Sequence, residues 1–248
     1  MANNKILRKI AGALGYKLVE KNFIKNNRIV SENSSFNLKT VLNKIFNEQK
    51  IEYLVQIGAN DGERFDELNR FIKEFKPKSV LVEPIDNYYQ DLKKNYQNFD
   101  NVYFENSAIS AEEHINEIYT VEKKNISKYS DHIQGINSFN KNHLIKHGVK
   151  PKHIVKTIIK SISIKDLLEK YNINNLDLLF IDAEGYDANI VYDFLKNSDQ
   201  EPIIIFEFIH SETKILKDLI KSLMNKKFRF FNINENLVCL PEKINTFL

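Results

Sequence analysis

Polar residues follow the short apolar runs of this sequence, at the points where each run ends. They form five groups: Gly58-Ala59-Asn60-Asp61-Gly62, Glu83-Pro84, Glu105-Asn106-Ser107-Ala108, Asp182-Ala183-Glu184-Gly185 and Glu207-Phe208-Ile209-His210. Ligands of open α/β sheets bind beyond the carboxyl ends of the strands. Capping alone does not readily explain acids after four consecutive runs. The pattern therefore predicts a crevice in which these side chains meet a ligand.

The glycine loop and the acid after the second run indicate the chemistry of that ligand. Residues 58–62 have the spacing Gly-x-x-x-Gly, which differs from the Gly-x-Gly-x-x-Gly of a dinucleotide pyrophosphate site. Glu83 can accept hydrogen bonds from both hydroxyls of a ribose. An adenosine compound without a pyrophosphate, such as S-adenosylmethionine, fits this combination.

The elements that must position these residues alternate along the chain. Ser35 is a candidate cap for a first helix, and helical patterns then separate the predicted strands, which are residues 53–57, 79–83, 102–104, 176–181, 202–208, 228–231 and 237–240. Several strands are apolar on both faces, which is typical of a parallel sheet covered by helices on both sides. The predicted fold class is α/β, a three-layer Rossmann-like sandwich with a mostly parallel sheet of about seven strands.

Residues 110–160 interrupt this alternation of strands and helices. They contain strand-like stretches at 117–121 and 153–161, a polar stretch at 123–135 and a helical pattern at 137–147. We interpret the segment as an insertion that shapes a substrate site. The predicted organisation is therefore a basic amphipathic helix and linker in residues 1–35, followed by one domain in residues 36–248.

The sequence resembles the FkbM family of S-adenosylmethionine-dependent methyltransferases, which have a class I, Rossmann-like fold. The likeness runs from about Tyr53 to Leu240 and rests on four segments, which are Val55 to Gly62 followed by Phe65-Asp66, Leu81-Val82-Glu83-Pro84, Asn106-Ser107-Ala108-Ile109-Ser110 and Leu178 to Asp187. The last segment is the most specific. A fifth segment, Gly135 to Phe139 with His143 and His147, is similar to one branch of the family.

The resemblance implies a role for each strand end. Gly58, Ala59, Asn60, Asp61 and Gly62 would lie along the methionine part of the cofactor, and Glu83 would hold the ribose. The remaining cofactor residues would be Gln56 near the methionine amino group, Asn106, Ser107 or Ala108 beside the adenine, and Asp182 beside the sulfonium. Gln56 departs from the acid that many class I methyltransferases carry at this position.

The acceptor side is predicted from chemistry and from the family. The resemblance implies methylation of a sugar or glycan hydroxyl, and oxygen methylation requires removal of the hydroxyl proton. His210 is the preferred base, followed by Asp182 and Glu184, although His210 could equally be a cap or a surface residue. Ser138, His143 and Glu207 are the predicted substrate-binding residues, and Glu207 could instead orient His210.

No dense metal-ligand motif is present, so metal-free chemistry is the favoured interpretation. Asp182, Glu184, Glu207 and His210 could nevertheless converge on Mg²⁺. His143 and His147 have an i, i+4 spacing that can bind Zn²⁺, but no Glu follows the first histidine and no third ligand is evident. We therefore predict substrate-side or solvent-exposed histidines.

The charge distribution and the cysteine content restrict the kinds of partner and the cellular compartment that are expected. Residues 1–28 carry seven basic residues and one acid, so they hold a net charge of +6, while the chain of 248 residues has only +3. The mildly acidic remainder argues against nucleic-acid binding. The basic amphipathic segment is predicted to pack on the domain or on a second copy in a homodimer, and its alternative is peripheral contact with the inner face of a membrane. The single cysteine, Cys239, favours a cytoplasmic setting.

Two alternatives to a methyltransferase stay open from the sequence. One is a nucleotide-dependent oxidoreductase on a Rossmann-like sheet, against which the missing pyrophosphate fingerprint argues. The other is a non-catalytic, methyltransferase-like scaffold in glycan assembly, against which the acids at the strand ends argue.

Overall fold

The computed structural model describes residues 36–64, 66–110, 116–130, 133 and 137–244. Within them, one seven-stranded sheet has the order β10-β11-β9-β8-β1-β2-β3, and two small sheets pair β4 with β7 and β5 with β6. The strands are β1 (Tyr53–Ile57), β2 (Lys78–Val82), β3 (Val102–Glu105), β4 (Ala108–Ile109), β5 (Asn116–Val121), β6 (Ile154–Ile159), β7 (Ser161–Ile162), β8 (Leu178–Ile181), β9 (Ile203–Glu207), β10 (Arg229–Ile233) and β11 (Asn236–Leu240).

The helices follow the strands in the predicted alternation. They are α1 (Leu38–Glu48), α2 (Asn69–Phe75), α3 (Asp86–Asn95), α4 (Lys141–Lys146), α5 (Ile164–Lys170), α6 (Asp187–Asn197) and α7 (Thr213–Asn225). Helix α1 is capped by Asn37, whose side chain accepts the Thr40 N–H at 3.0 Å, and not by the predicted Ser35, which lies outside the described residues. Asn37 directly precedes the first residue of the apolar face, which is where an N-cap belongs.

The central sheet is parallel except for β11, which runs antiparallel to both β9 and β10. Strand β1 lies between β2 and β8 and is parallel to both. This topology brings the carboxyl ends of β1, β2, β8 and β9 to one edge. The predicted three-layer, Rossmann-like α/β fold is confirmed.

Alternate residues of each strand point to opposite faces of the sheet and bury two separate cores. Val55 and Leu179 pack on one face with residues of α5, α6 and α7. Leu54 and Leu178 pack on the other face with residues of α1, α2 and α3. Burial on both faces explains why these strands read as continuous apolar runs.

The segment between β4 and α5 stands apart from the central sheet. β5 and β6 pair antiparallel, as residues 117–121 and 153–161 suggested. The polar stretch contains a 3₁₀-helix, Lys123–Lys128, and the predicted helix at 137–147 is reduced to α4. It begins late because Ser138 pairs with Tyr119 through both backbone hydrogen bonds, which holds the chain extended before Asn140 caps α4.

The predicted basic helix and linker, residues 1–35, lie outside the described residues, so the proposed membrane or homodimer contact stays a prediction. None of the described helices is long and apolar enough to cross a membrane.

Candidate active site

A cleft of about 770 Å³ opens at the carboxyl edge of the central sheet. Its volume lies in the range of about 300–1,000 Å³ that small-molecule sites occupy. Residues from all four strand ends line it, among them Gly58, Glu83, Asp182 and Glu207, and the β5–β6 segment forms the facing wall. The structure therefore places a cleft where the sequence predicted a crevice.

Gly58 lets the β1 loop approach the end of β8. It has a φ of +82°, and a Cβ atom there would lie 1.8 Å from the backbone oxygen of Asp182. The Gly58 and Ala59 N–H groups both donate to the Val82 carbonyl at 3.0 Å, which joins the loop to β2. Asn60 continues the turn in the left-handed region, with a φ of 50°. Only glycine fits at position 58, because any side chain would collide with the backbone at the end of β8. The loop therefore packs closely against β8 and lines the cleft there.

Asp61 and Gly62 lie outside the lining of the cleft. The Asp61 carboxylate accepts the N–H groups of Glu63 at 3.1 Å and Arg64 at 2.9 Å, so it stabilises the turn itself. A Cβ on Gly62 would lie 2.4 Å from Leu92 Cδ1, which shows that this glycine is required by packing on α3. These two residues shape the loop, and we do not assign them cofactor contacts.

Glu83 is buried at the end of β2, with 5% of its surface exposed. Its Oε2 accepts the Asn60 N–H at 3.0 Å, and its Oε1 accepts the Ile85 N–H at 2.8 Å. Burial raises the pKa of this carboxyl to about 7, against the two backbone hydrogen bonds that favour its ionised form. The second lone pair of each oxygen remains for a donor in the cleft.

Asn106 fixes the backbone of Glu83 by a hydrogen bond. Its side-chain Nδ2 donates to the Glu83 carbonyl at 3.0 Å, and it does not line the cleft. Ser107 and Ala108 do line the cleft, but the Ser107 hydroxyl donates to Glu105 Oε1 at 3.0 Å. Glu105 itself does not line the cleft, unlike Glu83 at the end of β2. Its carboxylate is hydrogen-bonded instead to the Ser107 hydroxyl and to Lys170 Nζ, which lies 2.6 Å from Oε2.

Gln56 and Asp66 form a pair that the sequence did not reveal. Gln56 Nε2 donates to Asp66 Oδ1 at 2.9 Å, and the Leu68 N–H donates to the same oxygen at 2.8 Å. Among the described residues, Gln56 Oε1 and Asp66 Oδ2 are buried without a hydrogen-bond partner. Both residues line the cleft. The fold therefore places a carboxylate, that of Asp66, directly beside the Gln56 amide.

The turn after β8 holds two acids that line the cleft, Asp182 and Glu184. Asp182 lines the cleft, and its surface is open to solvent there. The protein that surrounds it on the other sides reduces its solvation, and this effect, followed by the charges of Glu184 and Asp66, raises its pKa to about 7. Glu184 adopts a left-handed φ of 49°. Asp187, which the sequence did not single out, is fully buried and accepts the N–H groups of Ala183 at 3.2 Å and Gly185 at 3.1 Å. It fixes the turn that presents Asp182 and Glu184.

Ser138 and Glu207, which the sequence predicted to bind the substrate, both line the cleft. The Ser138 hydroxyl donates to the Glu184 carbonyl at 2.9 Å, which attaches the β5–β6 segment to the β8 turn. Burial, and then the charges of Asp182 and Asp187, raise the pKa of Glu207 to about 8.

Three histidines gather beside residues that line the cleft. His143 is buried and its Nε2 lies 2.9 Å from Glu184 Oε2, while His210 Nε2 lies 3.8 Å from Glu207 Oε1. His210 is not among the lining residues, so it is less well placed as a base than Asp182. His147 joins both, with one nitrogen of each ring within 4.8 Å of the others. His210 is thus the third histidine that the spacing of His143 and His147 did not show. The prediction was that His143 and His147 are substrate-side or solvent-exposed, and the burial of His143 rules out the second alternative for that residue.

A model of the FkbM methyltransferase domain matches residues 56–230, which is most of the chain. The chain belongs to the FkbM family of S-adenosylmethionine-dependent methyltransferases. The central sheet has the topology predicted for the class I fold, and the family match argues against the oxidoreductase alternative. No protein of curated function matches its sequence.

Solved structures of methyltransferases are similar to this chain at low sequence identity. An FkbM methyltransferase from Methylobacillus flagellatus is 14% identical with a TM-score of 0.43, over 76% of this chain and 43% of that one. An O-methyltransferase from Bacillus cereus in complex with SAH is 10% identical with a TM-score of 0.40, over 95% and 97%. The present chain thus spans less than half the length of the M. flagellatus protein.

Proposed function

We propose that this FkbM methyltransferase transfers a methyl group from S-adenosylmethionine to a hydroxyl group of a sugar or glycan. The observation that carries the cofactor part is the set of acceptors in one cleft, which are the Glu83 carboxylate and the unpartnered oxygens of Gln56 and Asp66. A buried acceptor without a donor costs about 1–3 kcal/mol, so a ligand that donates there is favoured.

The donor groups of S-adenosylmethionine fit these acceptors. Gln56 Oε1 and Asp66 Oδ2 would hold the ammonium group, and Glu83 would accept from the ribose hydroxyls. Ile85, Ala108 and Ile109 line the cleft and would flank the adenine. The cofactor supplies a methyl group on a positively charged sulfur, and the Asp182 carboxylate would favour that charge.

Asp182 is the proposed base for the acceptor hydroxyl. It opens into the cleft, whereas Glu184 is engaged with His143 and His210 lies outside the lining. A base with a pKa near the operating pH is suited to general-base catalysis. Asp182 would accept the hydroxyl proton as the methyl group transfers, and Asp187 would keep the turn in place through its bonds to Ala183 and Gly185.

The polar wall opposite the sheet supports a polyhydroxyl acceptor. Thr120, Asn137, Ser138 and Thr157 line it, and Glu207 lines the cleft from the end of β9. Together they provide hydroxyl, amide and carboxyl groups for hydrogen bonds. Thr120 and Thr157 share a hydrogen bond of 3.0 Å, and the Ser138 hydroxyl donates to the Glu184 carbonyl, so a polyhydroxyl acceptor would add hydrogen bonds through the remaining lone pairs of these hydroxyls.

Transfer of radiolabelled methyl groups tests the proposal. The purified protein, given labelled S-adenosylmethionine and fractions of its source cells, is expected to label the carbohydrate fraction in a linkage stable to mild alkali, as a methyl ether is. The Asp199→Asn variant, which changes an exposed acid far from the cleft, is the control and should label equally. Label confined to the protein or nucleic-acid fraction would overturn the acceptor class, and absence of any transfer would favour the scaffold alternative.

A further inference from the structure

The cluster of His143, His147 and His210 is not used in the proposed methyl transfer. The ring centroids lie 4.6 Å apart for His143 and His147, 4.7 Å for His143 and His210, and 5.3 Å for His147 and His210. Two of the residues come from the β5–β6 segment and one follows β9, so the fold itself assembles the cluster. We propose that these three histidines bind one divalent transition-metal ion, with Zn²⁺ as the preferred metal.

The separations suit a metal without rearrangement of the backbone. One nitrogen from each ring lies within 4.8 Å of the other two. Tetrahedral Zn²⁺ with Zn–N bonds of 2.0–2.1 Å needs nitrogens roughly 3.3 Å apart. Side-chain rotations that move the ring nitrogens by about 1 Å would therefore bring them to this separation. Histidines spaced i, i+4 present their rings on one helix face, and the His147 N–H donates to the His143 carbonyl at 3.2 Å to keep that helical spacing.

Glu184 gives His143 the orientation of a metal ligand. Its carboxylate lies 2.9 Å from His143 Nε2 and accepts a hydrogen bond from it, which leaves the lone pair on Nδ1. A carboxylate that holds the second nitrogen of a ligating histidine is a recurrent feature of zinc sites. The Nδ1 atom points toward the β8 turn, where a Cβ on Gly185 would lie 3.8 Å from it and 3.4 Å from His210 Cβ. Gly185 therefore leaves space for both rings.

The charges around the cluster favour a cation. Glu184 contacts His143, Glu207 lies 3.8 Å from His210, and Glu235 acts on His210 through its charge. Lys146 is the basic residue whose charge opposes them. Three imidazoles leave a fourth tetrahedral position open, as in catalytic rather than structural zinc sites. This inference does not depend on the methyl-transfer proposal, since it concerns the binding of the metal alone.

Titration with Co²⁺, read by its visible absorption, followed by competition with Zn²⁺, tests the site. The full-length, untagged protein, first stripped with a chelator, is expected to bind one equivalent and to prefer Zn²⁺. His147→Gln and His210→Gln should each weaken binding roughly 100-fold or more, because a ligand is lost. Both side chains are partly exposed, so these variants are expected to fold, which circular dichroism checks.

His153→Gln is the matched control and should bind like the wild type. His153 is buried and hydrogen-bonded to the Tyr129 hydroxyl at 2.7 Å, and it is not part of the cluster. Glu184→Gln should still bind one equivalent but roughly 10- to 100-fold more weakly, because the carboxylate that orients His143 is lost. Absence of uptake by the wild type at micromolar metal would overturn the site. Wild-type affinity in both His147→Gln and His210→Gln would overturn it as well.

Discussion

Replacing Gly58 with alanine is expected to lower the free energy of unfolding by about 2–5 kcal/mol and to abolish measurable binding of S-adenosylmethionine. The estimate combines about 1–2 kcal/mol for a left-handed backbone with about 1–3 kcal/mol for overpacking. The new Cβ would lie 1.8 Å from the Asp182 oxygen. Because both partners are backbone atoms, β1 and β8 must separate at the edge where the cofactor would bind. Urea unfolding and a cofactor titration measure the two effects.

Gly148→Ala is the matched control for this change. Gly148 has a φ of +88°, close to that of Gly58, but a Cβ there meets no atom within 4 Å. It should therefore show only the backbone cost of about 1–2 kcal/mol and retain cofactor binding. Equal loss of stability in the two variants would contradict the close approach of Gly58 to Asp182.

Replacing Asp182 with asparagine is expected to lower kcat by about 10²- to 10⁴-fold, which is the usual range for loss of a general base. Asparagine keeps the size of the side chain but cannot accept a proton. In the wild type, kcat should rise as the pH passes about 7, because only the ionised carboxyl acts as a base and its pKa is raised to that value. The variant should lose this rise. Steady-state kinetics from pH 5.5 to 8.5, about one to two units either side of that pKa, measure both effects.

Cofactor affinity separates catalysis from binding in this experiment. The Asp182→Asn variant should bind S-adenosylmethionine within about tenfold of the wild type, since its carboxylate contributes to the charge around the sulfonium but does not hold the ribose or the ammonium group. If His210→Gln lowers kcat more than Asp182→Asn does, the base is His210 and our assignment fails.

The sheet and the position of the cleft were predictable because both follow from local sequence. Strands buried on both faces read as apolar runs, and the residue after each run marks the edge where ligands bind. Gly58 and Glu83 could be singled out in this way. The three-layer fold follows from the same alternation of runs and helical patterns.

The remaining features depend on contacts between distant segments. Asp66 lies ten residues after Gln56, and only the folded loop shows that the two side chains share a hydrogen bond. His210 is more than 60 residues from His143, and the two meet because Ser138 attaches the β5–β6 segment to the β8 turn. Glu105 is the last residue of β3 and Glu83 directly follows β2, yet hydrogen bonds from Lys170 and Tyr171 hold the Glu105 carboxylate away from the cleft. Residue types and their spacing along the chain do not predict these contacts between distant segments.

Binding of S-adenosylmethionine, measured by titration calorimetry on the full-length protein, tests the central claim most directly. We predict one site per chain. Glu83→Ala should weaken binding by about 1–3 kcal/mol, or about 5- to 150-fold, because the buried partner of the ribose is lost. Glu48→Ala, which removes an exposed acid on α1, should bind like the wild type. No binding by the wild type, with or without added metal, would contradict the claim, and so would an unchanged affinity in Glu83→Ala.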